Sequence, residues 1–296
     1  MINIEKLKDK YKIDIEEFRL IEDEIIKLYT RFIDSVNQPK TIILGAQPGS
    51  GKSELEKIAF NNLSKNAVIC NVDNLKNFHP HSQEIKKNHP EYFNEFTSSV
   101  AHQWNLALRR NCIENNYNFI LETTFSEGTS INSIIENLKK NKFQVEIYLL
   151  SVPEIISKLG IVLRYEEMLN LNIFGRKVSI ESHDQRFKQI PQAIKIVEDK
   201  KLYDYINLYG RSLMNLNSKD EYGVYLIAKT KKNILEDYLA ERDQKITRKA
   251  ESVIYDMKER IIDLMIKRDA PEEEISVFSE ALQLESINTN SKSRKK

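Results

Sequence analysis

Cysteine is nearly absent: the 296 residues carry two, Cys70 and Cys112. They stand far apart in the chain, in segments that read as a buried strand and a helix. Neither a disulfide framework nor a zinc motif follows, and both read as small core fillers. An excess of charge is missing as well. Forty-five Lys and Arg against 44 Asp and Glu leave a net charge of +1, so no global field draws the chain to nucleic acid or to an anionic membrane. Any anion it handles must be held by a local site. No stretch stays apolar for the ~18 residues a membrane span needs, and the opening MINIEKLKDKYKID lacks the apolar core of a secretory signal. The cytoplasm is the expected address. The histidines His79, His81, His89, His102 and His183 fall at no zinc spacing and read as polar surface or pocket residues. No internal repeat is visible.

What is present is enough apolar material, 41% of the residues, to bury a substantial core. Residues 13–36 carry apolar side chains at helical spacing (Phe18, Ile21, Ile25, Tyr29, Phe32), and Pro39 ends the pattern. Residues 41–44, 67–70, 118–121 and 145–150 are short β-branched or apolar runs of the buried-strand type. Between and after them, 53–63, 92–113, 130–140, 153–169 and 181–197 read as helices, with late strands at 205–208 and 224–227. Strands alternating with helices predict an α/β fold, a mostly parallel sheet with helices on both faces. The organisation expected is an N-terminal helical segment at 1–39 and a P-loop kinase core at 40–228 with a lid around 164–177. A helical C-terminal appendage at 229–290 and a basic, disordered tail at 291–296 complete it.

Gly45-Ala46-Gln47-Pro48-Gly49-Ser50-Gly51-Lys52-Ser53 lies between the first strand and a helix, the context in which a Walker A pattern carries meaning. Ala46 replaces the pattern's first glycine. Gly49 and Gly51 let the backbone curl so that successive N–H groups point at phosphate oxygens. Gln47 to Ser53 therefore form the expected ATP-binding loop, with Lys52 across the β and γ phosphates and the Ser53 hydroxyl on Mg2+. Asp73 follows the second strand at the carboxyl edge of the sheet. There it serves equally well as a general base for an attacking hydroxyl or as a helix N-cap. Glu122 ends the third strand and suits magnesium or its waters, with pairing to a surface lysine as the plainer alternative. Arg164 and Arg176 flank the loop at 172–175 and suit a mobile lid that stabilises charge on the transferring phosphoryl group.

In this order and at these gaps, the segments Gln47-Pro48-Gly49-Ser50-Gly51-Lys52-Ser53, Asp73 with His79-Pro80, Glu122-Thr123-Thr124, Arg164-Tyr165-Glu166, and Arg176 followed by His183-Asp184 resemble the zeta toxin family. That family is the kinase component of epsilon/zeta-type toxin–antitoxin systems, and the resemblance covers about residues 40–210. It implies ATP- and Mg2+-dependent phosphorylation of the 3'-hydroxyl on the amino sugar of UDP-N-acetylglucosamine, which starves cell-wall synthesis. By the resemblance, Lys52 binds phosphates, Asp73 is the general base, and Arg164 and Arg176 stabilise the moving phosphoryl group. His79, Glu122 and Thr124 lie at the sugar-nucleotide side, with Glu122 also toward the metal. A small antitoxin that blocks the ATP cleft is the implied partner; a membrane or nucleic acid is not.

The chain departs from the family's pattern at Ser126, where members commonly carry arginine, and at Thr123, where they carry glycine. The segment Gln103-Trp104-Asn105-Leu106-Ala107-Leu108 also lacks an expected substrate-binding glutamate. These departures bear on the acceptor more than on the kinase chemistry. Two alternatives therefore stand beside the leading reading. One is a P-loop kinase of another nucleotide, sugar nucleotide or dinucleotide, and the other a nucleotide-gated binding protein without transfer activity.

Overall fold

The computed structural model describes residues 4–171, 174–175, 178–215, 223–231 and 233–280. Arg176 and the basic tail at 291–296 lie outside the described residues. Helices α1 (Ile4–Lys10) and α2 (Ile15–Thr30) precede the first strand, β1 (Lys40–Gly45). Asp14 starts α2 by accepting the N–H groups of Glu16 and Glu17 at 2.9 and 2.8 Å, which satisfies donors that a helix leaves open. Next come α3 (Lys52–Asn62), β2 (Val68–Cys70), the short α4 (Val72–Leu75) and α5 (Ser82–Asn88), and the long α6 (Phe93–Glu114). The chain continues through β3 (Phe119–Thr123), α7 (Gly128–Lys140), β4 (Gln144–Ser151), α8 (Glu154–Asn170), α9 (Ile180–Lys200) and β5 (Tyr205–Arg211). It closes with β6 (Val224–Thr230), α10 (Leu235–Arg242), α11 (Arg248–Lys267) and a helical stretch at 272–280.

One sheet holds all six strands in the order β2-β3-β1-β4-β5-β6. The first five run parallel, and β6 lies antiparallel on β5. The mostly parallel α/β sheet read from the sequence is thus observed, with one antiparallel edge added. Helices cover both faces, as buried parallel strands require. On one face α2, α6, α7, α9 and α10 meet Ile43, Val145, Ile147 and Leu149; on the other, Leu55 and Ala59 of α3, with Leu63 just beyond its end, cover Ile42, Leu44 and Ile120. Trp104 of α6 is fully buried, stacks on Phe18 and donates its indole N–H to the Phe18 carbonyl at 3.2 Å, which docks α2.

A third cluster joins Ile156 and Leu159 of α8 to Ala250, Val253, Ile261 and Met265 of α11. Tyr238 of α10, by contrast, is buried in the main core beside Ile234. Cys70 and Cys112 are free thiols in that same core, and the Cys112 thiol is driven far above its ordinary pKa by a hydrogen bond with Cys70 and by burial. Among the described residues no helix is long and apolar enough to cross a membrane.

Candidate active site

Strand register assembles the floor of the site. β1 pairs with β3 so that Leu44 faces Glu122 and Gly45 faces Thr123, and β2 pairs with β3 so that Cys70 faces Leu121. The residues just past these pairs, the loop at 46–51, Glu122 to Thr124, and Asn71 to Asp73, therefore emerge together at the carboxyl edge of the sheet. That is where open α/β sheets bind ligands. Around them opens a cleft of about 1150 Å³, walled by the loop, α3, α4, α6, α8 and α9.

The loop is held in shape by its own side chains. Gln47 is buried and donates its amide to the Val152 carbonyl at 3.1 Å, and the Ser50 hydroxyl donates to the Gln47 carbonyl at 2.8 Å. Gly49 and Gly51 take φ of +77° and +92°, conformations that a side chain strains against. The space also forbids one: a Cβ at Gly49 would fall 2.0 Å from the Ser157 carbonyl oxygen, and one at Gly160 2.2 Å from the Gly49 carbonyl oxygen. Two glycines thus let α8 rest directly on the loop. Arg211, at the end of β5, donates to the Ser50 carbonyl at 3.2 Å from the other side.

α3 begins at Lys52 without a side-chain cap; the Glu54 N–H bonds the Gly51 carbonyl at 3.2 Å, and the Lys52 and Ser53 N–H groups are left to whatever enters the cleft. Lys52 donates to the Ala46 carbonyl at 3.1 Å and lies 3.5 Å from Glu122 Oε1. Burial lowers the Lys52 pKa, and the Glu122 carboxylate opposes that shift. Glu122 Oε2 in turn accepts from Asn71 at 2.5 Å. Glu122 therefore pairs with the loop lysine itself through one oxygen and with Asn71 through the other, and its remaining lone pairs are open to a metal or its waters.

Across the cleft, the two roles open to Asp73 separate. Asn71 is the N-cap of α4, accepting the Asp73 N–H at 2.8 Å, so the Asp73 carboxylate is not the cap. It lines the cleft, half-exposed, and Oδ1 accepts from Lys76 at 2.8 Å. Lys76 is buried and also donates to Asn94 at 3.0 Å, tying α4 to α6. Ser53, Glu122, Thr124 and Arg164 all line the same cleft. The Thr124 and Ser126 hydroxyls bond each other at 2.9 Å.

His79, expected at the substrate, is not among the cleft-lining residues. It is buried, its Nδ1 accepts the His81 N–H at 3.2 Å, and burial followed by the nearby His81 lowers its pKa to about 4. His183 is also buried rather than on the surface: its Nε2 meets the Ser157 hydroxyl at 2.8 Å and its Nδ1 meets Asp184 at 2.8 Å. It latches α9 to the turn of α8 that supports the loop. Arg176, the second lid arginine, lies outside the described residues.

The family described as "Zeta toxin" matches residues 23–260. The chain belongs to the zeta toxin family. Its zeta toxin relatives from Enterococcus hirae and Streptococcus pyogenes, each named "Toxin zeta", are 27% identical over 191 residues, 63% of this chain. The match spans 66% of those relatives' own length, just under two thirds. "Toxin PezT" of Streptococcus pneumoniae is 26% identical over 196 residues, covering 66% of this chain and 78% of that protein. Among solved structures, a chain of the PezAT chromosomal toxin–antitoxin system of Streptococcus pneumoniae aligns with a TM-score of 0.73 at 20% identity, over 86% of this chain and 98% of that one. A complex of AvrRxo1-ORF1 and AvrRxo1-ORF2 with sulphate ions aligns at 0.54 and 12% identity, over 90% and 85%. At these identities the structural likeness speaks for the fold.

Within this zeta toxin fold, several cleft residues belong to no motif of the sequence, Lys76, Asn94, Ser98, Ser182 and Arg186, and His102, read as a surface or pocket histidine, lines the cleft with them. Asn94, Ser98 and His102 recur every fourth residue on α6, one stripe of a helix, and this polar stripe is the signal that could have found them. For Arg211 the signal is its place at the carboxyl end of a parallel strand. For Gly160 the signal is a glycine inside a helical pattern, which marks a site of close packing.

Proposed function

We propose that the chain is an ATP-dependent small-molecule kinase that phosphorylates the 3'-hydroxyl of the amino sugar in UDP-N-acetylglucosamine and so inhibits cell-wall synthesis. The observation that carries this reading is one cleft in which Lys52 and an uncapped helix start stand opposite Asp73. ATP bound with Mg2+ supplies a γ-phosphoryl group for transfer. The Lys52 and Ser53 N–H groups at the start of α3 and the Lys52 ammonium hold the phosphates, and the Ser53 hydroxyl would hold the ion, which would supply further charge stabilisation. Among the described residues no three His, Cys, Asp or Glu form a metal site of their own, in keeping with a metal that arrives with its nucleotide.

Asp73 takes the proton of the acceptor hydroxyl as that oxygen bonds to phosphorus, and the bond to ADP breaks with its electron pair on ADP. Lys76 and Asn71 fix where the carboxylate stands. Arg164 faces the charge that develops on the phosphoryl oxygens, a role that the family resemblance also gives Arg176. Glu122 holds Lys52 in place, and Thr124 meets the sugar nucleotide. Family membership, the toxin names of the relatives and the likeness to a toxin–antitoxin structure support this reading. They also support a small antitoxin as partner.

Incubation with ATP, magnesium and UDP-N-acetylglucosamine should give a phosphorylated sugar nucleotide by mass spectrometry. Asp73→Asn should cut the rate by roughly 10²-fold or more while leaving ATP binding intact. No phosphorylated product from a panel of sugar nucleotides and dinucleotides would overturn the reading. A kinase for another nucleotide acceptor is the second reading. It is favoured by the neutral Thr124–Ser126 hydroxyl pair, standing where family members commonly place an arginine.

A further inference from the structure

The cations of the cleft are not equivalent. Lys52 has Glu122 at 3.5 Å, and Lys76 has Asp73 at 2.8 Å. Arg186, on the second turn of α9, lines the same cleft and has no carboxylate partner among the described residues. Its one engaged nitrogen, Nη1, donates to the Ser182 carbonyl at 3.2 Å and to the Ser182 hydroxyl, both on its own helix. Those bonds aim the guanidinium and leave its other N–H groups to a ligand. A planar cation held this way and left unneutralised inside a concave wall is suited to bidentate capture of a phosphate.

Its position says whose phosphate. The loop and α3, which hold the donor's phosphates, belong to the face of the sheet covered by α3. α9 packs on α7 and lies with α6 on the opposite face. From that face α6 presents Asn94, Ser98 and His102 to the cleft, a row of hydrogen-bonding groups fitted to hydroxyls and amides. The half of the cleft between α6 and α9 is the acceptor's half.

We propose that Arg186 recognises a phosphate group already present on the acceptor, so that the enzyme selects phosphate-bearing acceptors, such as nucleotides or sugar nucleotides, over neutral sugars. This rests on the kinase reading above and adds a specificity residue to it.

The test compares wild type, Arg186→Gln and Arg186→Lys, with UDP-N-acetylglucosamine and free N-acetylglucosamine as acceptor probes. Arg186→Gln should raise the KM for the sugar nucleotide roughly tenfold or more, with kcat within about twofold and the KM for ATP unchanged. Arg186→Lys should fall between, since the charge stays and the fork is lost. Turnover of the neutral sugar, where measurable, should not change. Calorimetric binding of UDP-N-acetylglucosamine to the nucleotide-free protein should weaken in parallel. If the KM for ATP rises instead, Arg186 serves the donor and the proposal is wrong. Unchanged constants in Arg186→Gln would make it a solvated surface arginine, equally against the proposal. If wild type transfers phosphate to no acceptor, the kinase reading itself fails; transfer by wild type that Arg186→Gln matches defeats this inference alone.

Discussion

Gly160 shows how much of the site depends on a missing atom. Replacing it with alanine should gain about 1 kcal/mol of helix propensity in α8. The new Cβ, however, would sit 2.2 Å from a backbone oxygen that cannot swing aside. The steric term should win, with a net loss of about 1–3 kcal/mol and weaker ATP binding, read by thermal unfolding and calorimetry. A more stable variant with unchanged affinity would show that α8 does not support the loop. Motif residues such as Lys52, Ser53 and Asp73 were legible because their chemistry is tied to a fixed spacing beside a strand end. His79 was misplaced because a histidine after an aspartate says nothing about which way its ring turns. Burial decided that here, not the motif.

At the scale of elements, the loop is braced by α8, and α8 in turn by α11. The second brace includes one buried charge. Glu166 of α8 is 2% exposed and accepts from Arg268 at 2.6 and 3.0 Å, and Arg268 also reaches Glu274 at 2.8 Å. Arg268→Met would strand the Glu166 carboxylate in the interior, at a cost of about 3 kcal/mol. Denaturant unfolding should show that loss, and Glu166→Gln combined with Arg268→Met should recover part of it. Equal stability of the single variant and wild type would remove the pair from the account.

The five parallel strands could be read from their apolar runs because strands buried on both faces must be continuously apolar; β6, a half-exposed edge strand, was read from the short apolar run at 224–227. The direction of β6 could not, since a strand's own residues do not encode it. The short helices α4 and α5 were also missed: with so few turns they carry too little periodicity to register, yet α4 is what presents Asp73.

For the molecule as a whole, acid should act through His79. Its pKa of about 4 in the fold lies below the 6.5 of an exposed imidazole, so between these values the unfolded chain binds the extra proton. The contribution of the neutral buried ring is therefore complete above pH 6.5 and is lost as pH falls toward 4, by up to about 3 kcal/mol. His79→Gln should flatten the dependence of unfolding free energy on pH across that window; an unaltered slope would contradict the burial argument.

Whether register and two glycines shape one cleft for a nucleoside triphosphate facing a general base can be read most directly from titration calorimetry of ATP with magnesium. Saturable one-to-one binding is predicted for wild type and for Asp73→Asn, with Lys52→Met weakened at least tenfold. No uptake of ATP by the wild-type protein at millimolar concentration, or equal binding by Lys52→Met, would contradict that arrangement.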